Sequence, residues 1–286
     1  MHAITGITGK VGGAAARALL ASGQKVRAVV RDGYKARPWA ALGCEVAIAE
    51  MEDADALARA FADCTGIFVL PPPCFDPLPG YPEARASVAA VRQALKVARP
   101  ARVVCLSTVG AQAAQPNLLS QRSLMEEALS PLPLPLALLR PAWFLDNLAW
   151  DVAPARERGV LPGFLQPLDR PMPMVSTLDV GRVAAELLQE DWQGRRVVEL
   201  EGPARVTQHE IAATFARVLG RPVQAEAVPR QTWGALFREQ GMRDPVPRIQ
   251  MLDGFNEGWI AFEGDDASVR KGRVTLEDVV RQLVAG

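Results

Sequence analysis

The first half of the chain alternates short apolar runs with alanine-rich amphipathic stretches. Runs at His2–Thr5, Lys25–Val30, Glu45–Ala49, Gly66–Leu70, Arg102–Leu106 and Leu136–Leu139 are apolar and mostly rich in branched residues, which predicts buried strands. Between most of them, Val11–Ser22, Ala54–Ala62, Ala84–Ala98 and Ser120–Leu129 read as helices. This alternation predicts an α/β fold, a Rossmann doubly wound parallel sheet covered by helices on both faces. Residues 71–82, 111–119 and 131–135 break the pattern and read as loops. Loops that follow strands gather at the carboxyl edge of such a sheet, where ligands bind.

Beyond Asn147 the alternation fades, and Pro154, Pro162, Pro167, Pro171 and Pro173 cut the chain into shorter elements. We therefore divide the chain into a Rossmann domain over 1–147 and a smaller C-terminal α/β substrate lobe over 148–286. Within the lobe, Leu178–Gln189 and Arg196–Leu200 read as a helix and a strand, so residues 177–200 are expected to pack back on the Rossmann sheet.

The glycine-rich turn after the first strand gives this sheet a ligand. Thr5-Gly6-Ile7-Thr8-Gly9-Lys10-Val11-Gly12 runs from the first strand into an alanine-rich helix, the context that a dinucleotide fingerprint requires. Gly6 permits the tight turn, Gly9 lets backbone approach a pyrophosphate, and Gly12 allows close packing of helix on strand. Thr8, Lys10 and Val11 complete the cradle, whose helix N-terminus attracts phosphate. At the end of the second strand stand Arg31 and, further on, Lys35, which match the 2′-phosphate of NADP(H); the adjacent Asp32 leaves NAD(H) as the alternative. Glu50 and Met51 are expected near the adenine, and Leu70, Pro71 and Pro72 beside the ribose and diphosphate.

Composition narrows the partners. Lysines plus arginines and aspartates plus glutamates number 32 each among 286 residues, so no overall field draws the chain to nucleic acid or an anionic membrane. A small ligand is the expected partner. Four scattered cysteines lack metal-ligand spacing and only two histidines are present, so we expect no metal site and thiols held in a reducing compartment. The start of the chain has no signal-peptide pattern and no apolar run is long enough to span a bilayer, which reads as cytoplasmic.

Several stretches together resemble the NmrA-like branch of the atypical short-chain dehydrogenases/reductases. AITGITGKVGG, VVRD with Lys35, EMEDADALARAF, Leu106-Ser107-Thr108 and LRPAWFLDN are similar to that family's cofactor half. VSTLDVGRVAAELL, GPARVTQHEIA, GFNEGWIAFEG and TLEDVVRQLVAG are similar to its substrate lobe. The resemblance implies a cleft between the halves and no flavin. It also implies one of several roles: a quinone or azo-dye reductase, a sugar- or phenylpropanoid-modifying enzyme, or a sensor of the NADP(H) redox ratio that regulates a partner protein. The quaternary state is left as monomer or homodimer.

The tyrosine–lysine pair that many short-chain dehydrogenases use as acid and base is missing. The two tyrosines, Tyr34 and Tyr81, lie elsewhere, and Arg122 stands where the lysine is expected. Its guanidinium stays charged and cannot donate a proton near neutral pH, but it can hold the cofactor. Ser107 and Thr108 end the fifth strand, where a hydroxyl can bond a substrate carbonyl or face the cofactor. The resemblance implies Pro141 and Phe144 beside the nicotinamide and Trp259 closing the cleft over the substrate; Trp143 is either a substrate contact or a core aromatic beneath the cleft, and Asn147 either bonds a ligand or caps a helix. With Phe262, the aromatic residues define a slot for a small planar organic molecule. No proton donor is identified. We expect an NADPH-dependent oxidoreductase that passes hydride directly to a planar acceptor such as a quinone or azo compound, with a non-catalytic redox sensor as the alternative; an epimerase would need the missing tyrosine.

Overall fold

The computed structural model describes residues 1–286. Its first part runs β1 (His2–Ile4), α1 (Lys10–Ala21), β2 (Val26–Val30), α2 (Gly33–Ala41), β3 (Glu45–Ile48), α3 (Ala54–Phe61), β4 (Gly66–Val69), α4 (Pro82–Ala98), β5 (Arg102–Leu106), α5 (Ser120–Leu129) and β6 (Leu136–Pro141). The remainder comprises β7 (Trp143–Phe144), a 3-10 helix (Leu145–Asp151), α6 (Val152–Arg158), β8 (Val160–Gly163), β9 (Met174–Val175), α7 (Thr177–Leu187), β10 (Arg195–Glu201) and α8 (Gln208–Leu219). It ends with β11 (Gln224–Ala227), α9 (Trp233–Glu239), α10 (Val246–Glu257), β12 (Arg270–Lys271) and α11 (Leu276–Ala285).

Eight strands pair in parallel in the order β12-β10-β6-β5-β4-β1-β2-β3. Successive side chains on a strand point to opposite faces, and the cores follow that alternation. Ile4, Val30, Phe68, Val104 and Leu139 pack with α1, α2 and α7 on one face. Ala3, Val29, Ile67, Cys105 and Leu138 pack with α3, α4 and α5 on the other. This is the doubly wound α/β arrangement expected from the alternating pattern.

Helix α2 is the element the apolar pattern did not mark. It is short, buries only Ala36 and Trp39, and contains Pro38. What starts it is Asp32, whose carboxylate accepts the Tyr34 N–H at 2.8 Å.

The later part of the chain returns to the sheet. Helix α7 lies so close to α1 that a Cβ on Gly181 would sit 2.5 Å from Ala14 Cβ and 2.6 Å from the Val11 carbonyl oxygen. Strand β10 then pairs with β6 from Arg195↔Leu136 to Leu200↔Pro141, and β12 pairs with β10 at the edge. The cap of α7 is Ser176, whose hydroxyl accepts the Leu178 N–H. Asp179 is fully buried and instead accepts the backbone N–H groups of Arg273 at 2.7 Å and Val274 at 2.9 Å, fastening the loop before α11.

A third core, centred on Phe215, Trp233, Phe237, Leu252 and Phe255, organises the lobe. Met172 and Met174 are buried within it as packing. His209 is exposed on α8, behind a capping box formed by Thr207 and Glu210. No helix is long and apolar enough to cross a membrane.

Candidate functional site

A cleft of about 500 Å³ opens at the carboxyl ends of β1, β2, β3 and β4. Its floor is the glycine turn. Gly6 has φ +60°, and a Cβ there would lie 2.9 Å from Leu70 Cδ2, so both conformation and space require glycine. Gly12 packs still closer: its Cβ would fall 2.3 Å from the Gly6 carbonyl oxygen. Gly9, extended at the N-cap of α1, carries no side-chain cap, and no acidic residue occupies the first turn. The leading N–H groups of α1 are therefore left for an anion. Thr5 braces the turn, its Oγ1 accepting the Leu70 N–H at 2.7 Å and donating to the Phe68 carbonyl at 3.2 Å.

Around this floor the structure gathers Gly6, Thr8 and Gly9 with Arg31, Lys35, Glu50 and Met51. Leu70, Pro71, Pro72 and Arg122 close the opposite wall. Arg31 and Lys35 are exposed at the mouth and form no ion pair, while one oxygen of Asp32 is committed to capping α2. Arg122 also lacks a carboxylate partner; Nη1 donates to the Pro71 carbonyl at 3.1 Å. Burial lowers the pKa of its guanidinium, and the Cys105 thiol beneath it is pushed up to about 12 by its own burial and by Glu126. Three unpaired cations and an uncapped helix around one cleft fit a ligand carrying several phosphates.

Other expected contacts lie outside this cleft. Lys10 reaches Asp146 at 3.3 Å instead of the cleft, and Asp146 in turn accepts the Thr177 N–H at 2.8 Å and its hydroxyl at 2.7 Å. Val11 and Gly12 are buried behind the turn, Pro141 is buried at the end of β6, and Phe144 packs on the core under α1. Thr108 is buried after β5, and Asn147 sits half-buried in the 3-10 helix. Trp143 makes an edge contact with Phe255, centroids 5.2 Å apart, and with Trp259 and Phe262 packs against the lobe core. None of these aromatic residues lines the cleft.

Joined to Ser107 over long distances are three residues that no sequence pattern marked, Glu126, Arg140 and Glu263. Ser107 Oγ donates to Glu126, and Glu126 takes two bonds from Arg140, Nε at 2.8 Å and Nη2 at 2.6 Å. Arg140 extends the chain to Glu263 at 2.7 Å, so the end of β6 is tied to the loop before β12. Since Glu126 is ion-paired, the single proton of Ser107 is spent on it. Ser107 can then offer a ligand only its lone pairs. Gln121 and Ser87 also line the cleft; Gln121 donates to the Cys74 carbonyl at 2.9 Å, and Ser87 to Glu52 at 2.5 Å.

The parallel sheet, the glycine turn and the cleft at the strand ends define a Rossmann-type α/β protein. The chain belongs to the NmrA-like family, whose model matches residues 2–253. It is 24% identical over 264 residues to an NAD(P)H azoreductase from Xenophilus azovorans, covering 90% of this chain and 85% of that protein. Two solved structures share the fold. A triphenylmethane reductase from Citrobacter sp. superposes with a TM-score of 0.82 at 21% identity, covering 100% of this chain and 99% of that one. The NADPH-dependent quinone oxidoreductase of Escherichia coli, solved with NADPH, also gives 0.82, at 23% identity and 99% of both chains.

Proposed function

We propose that this protein is an NADPH-dependent reductase that passes hydride directly to a small planar acceptor, of the quinone or azo type. The observation that carries the cofactor assignment is the set of unpaired cations, Arg31, Lys35 and Arg122, around an uncapped glycine turn. The relatives support the reaction class, since they include azo, quinone and triphenylmethane reductases.

Each group has a task in this reading. The turn at Gly6, Gly9 and the head of α1 holds the diphosphate, and Arg31 with Lys35 holds a 2′-phosphate. Arg122, in place of a lysine, donates hydrogen bonds to the ribose from the α5 side. Ser107, held by Glu126, accepts a hydrogen bond from the carboxamide side. The bound nicotinamide supplies hydride. No tyrosine is required, because a quinone or azo acceptor takes its proton from water once hydride has arrived; the protein orients the reactants and keeps water from the transfer path.

The test is absorbance at 340 nm with NADPH or NADH against quinones, azo dyes and enals, beside a cofactor-binding titration. Turnover with a quinone or azo dye, faster with NADPH, is expected. Tight cofactor binding with no turnover of any acceptor would refute the reductase.

A further inference from the structure

Two large aromatic side chains stand in solvent where the two halves meet. Phe75 is 59% exposed and Trp150 62% exposed. Trp150 is the only exposed one among six tryptophans. Phe75 follows Cys74 on the loop whose Pro71–Cys74 segment walls the cleft. Trp150 belongs to the 3-10 helix whose Asp146 is bonded to Lys10 at the head of α1. Their ring centroids lie 6.5 Å apart with planes at 83°. An edge-to-face pair in solvent leaves at least one ring face open for a further flat partner.

Both supports are anchored. Next to Phe75, the Asp76 carboxylate accepts the Arg243 and Asp244 N–H groups at 3.1 Å each and the Arg243 side chain at 3.0 Å. The Cys74 carbonyl accepts from Gln121. On the other side, Asp146 is held by both the N–H and the hydroxyl of Thr177. The aromatic pair thus bridges a loop of the Rossmann half and a helix of the lobe, continuous with the cleft wall and held from both sides. Trp39, Trp233, Phe215 and Phe237 are all enclosed, and the one other aromatic ring more than a third exposed, Tyr34, lies against the Arg37 guanidinium at 4.8 Å.

We infer that Phe75 and Trp150 form a stacking subsite for the acceptor, which selects planar aromatic molecules of two or more fused or conjugated rings. The inference rests on the reductase reading for the identity of the ligand as acceptor. Trp143 and Trp259 are half-buried against the lobe core, whereas Phe75 and Trp150 stand exposed.

The test uses the whole protein with bound NADP⁺ and equilibrium dialysis of menadione, a two-ring quinone, beside duroquinone, which has one ring. Phe75→Ala and Trp150→Ala should each weaken menadione binding roughly three- to tenfold, the range of one aromatic stacking contact. Duroquinone should lose less, NADPH affinity should stay within about twofold, and the melting temperature should hold because both side chains are exposed. Unchanged menadione affinity in both variants, or no menadione binding by the wild type, would overturn the subsite. An altered sedimentation coefficient with unchanged menadione binding would assign the pair to contact between chains, which also overturns it. Failure of the reductase reading looks different: menadione binds and the variants lose it, yet NADPH is not consumed.

Discussion

Arg31 and Asp32 are neighbours of opposite charge with separate tasks. Asp32 caps α2, while Arg31 has no partner and faces the cleft mouth. Replacing Arg31 with Asp should weaken NADPH binding by about tenfold or more and NADH binding by less than about threefold, the difference being a charge-assisted contact to the 2′-phosphate. A fluorescence titration with each nucleotide measures it, and equal losses would refute the phosphate contact. Residues of this kind are legible because their chemistry is local: a glycine that must turn, or a cation just past a strand. The Ser107–Glu126–Arg140–Glu263 chain is not legible in that way. Glu126 and Arg140 are 14 positions apart and Arg140 and Glu263 are 123 apart, so only the folded chain shows that they meet.

At the scale of elements, the apolar period located the six strands of the Rossmann half and most of their helices, but a short helix with little buried area escaped it. Helix α2 depends on its cap and on Trp39 more than on periodicity. The start of α7 shows a related limit. Ser176, Thr177 and Asp179 are all cap-forming residue types, and only geometry distinguishes the cap, Ser176, from a residue that anchors a distant loop.

The 3-10 helix after β7 carries its own liability at its last residue, Asp151. Burial pushes the Asp151 carboxyl up to about 7. The folded chain therefore holds a proton there that the unfolded chain has already released. Stability from this group falls as pH rises from the ordinary carboxylate range toward 7 and levels off above it. Asp151→Asn should raise stability at pH 8 by on the order of 2 kcal/mol and change it little at pH 4. Urea unfolding at the two pH values decides this, and an equal effect at both would contradict the assignment.

Across the whole molecule, the lobe is joined to the sheet by more than the chain between them. β10 extends the parallel sheet, α7 lies on α1, and the Asp179 carboxylate holds the loop at Arg273 and Val274 while pairing with Arg182 at 2.9 Å. The helix and strand of this segment carry apolar patterns of their own in the sequence, whereas the two-residue strand β12 is placed by its pairing with β10 rather than by any run of its own. Asp179→Ala would leave two backbone donors and a cation without their acceptor. It should destabilise the protein by about 3–5 kcal/mol, with a lower denaturant midpoint. A loss below about 1 kcal/mol, the level of an exposed ion pair, would show that the joint does not depend on this carboxylate.

The sharpest single measurement is oxidation of NADPH by menadione using cofactor deuterated on one or the other face of nicotinamide C4. Direct hydride transfer in a fixed cleft predicts consumption at 340 nm that is slowed by deuterium on one face and unaffected by deuterium on the other. No consumption, or the same slowing from both faces, would contradict it.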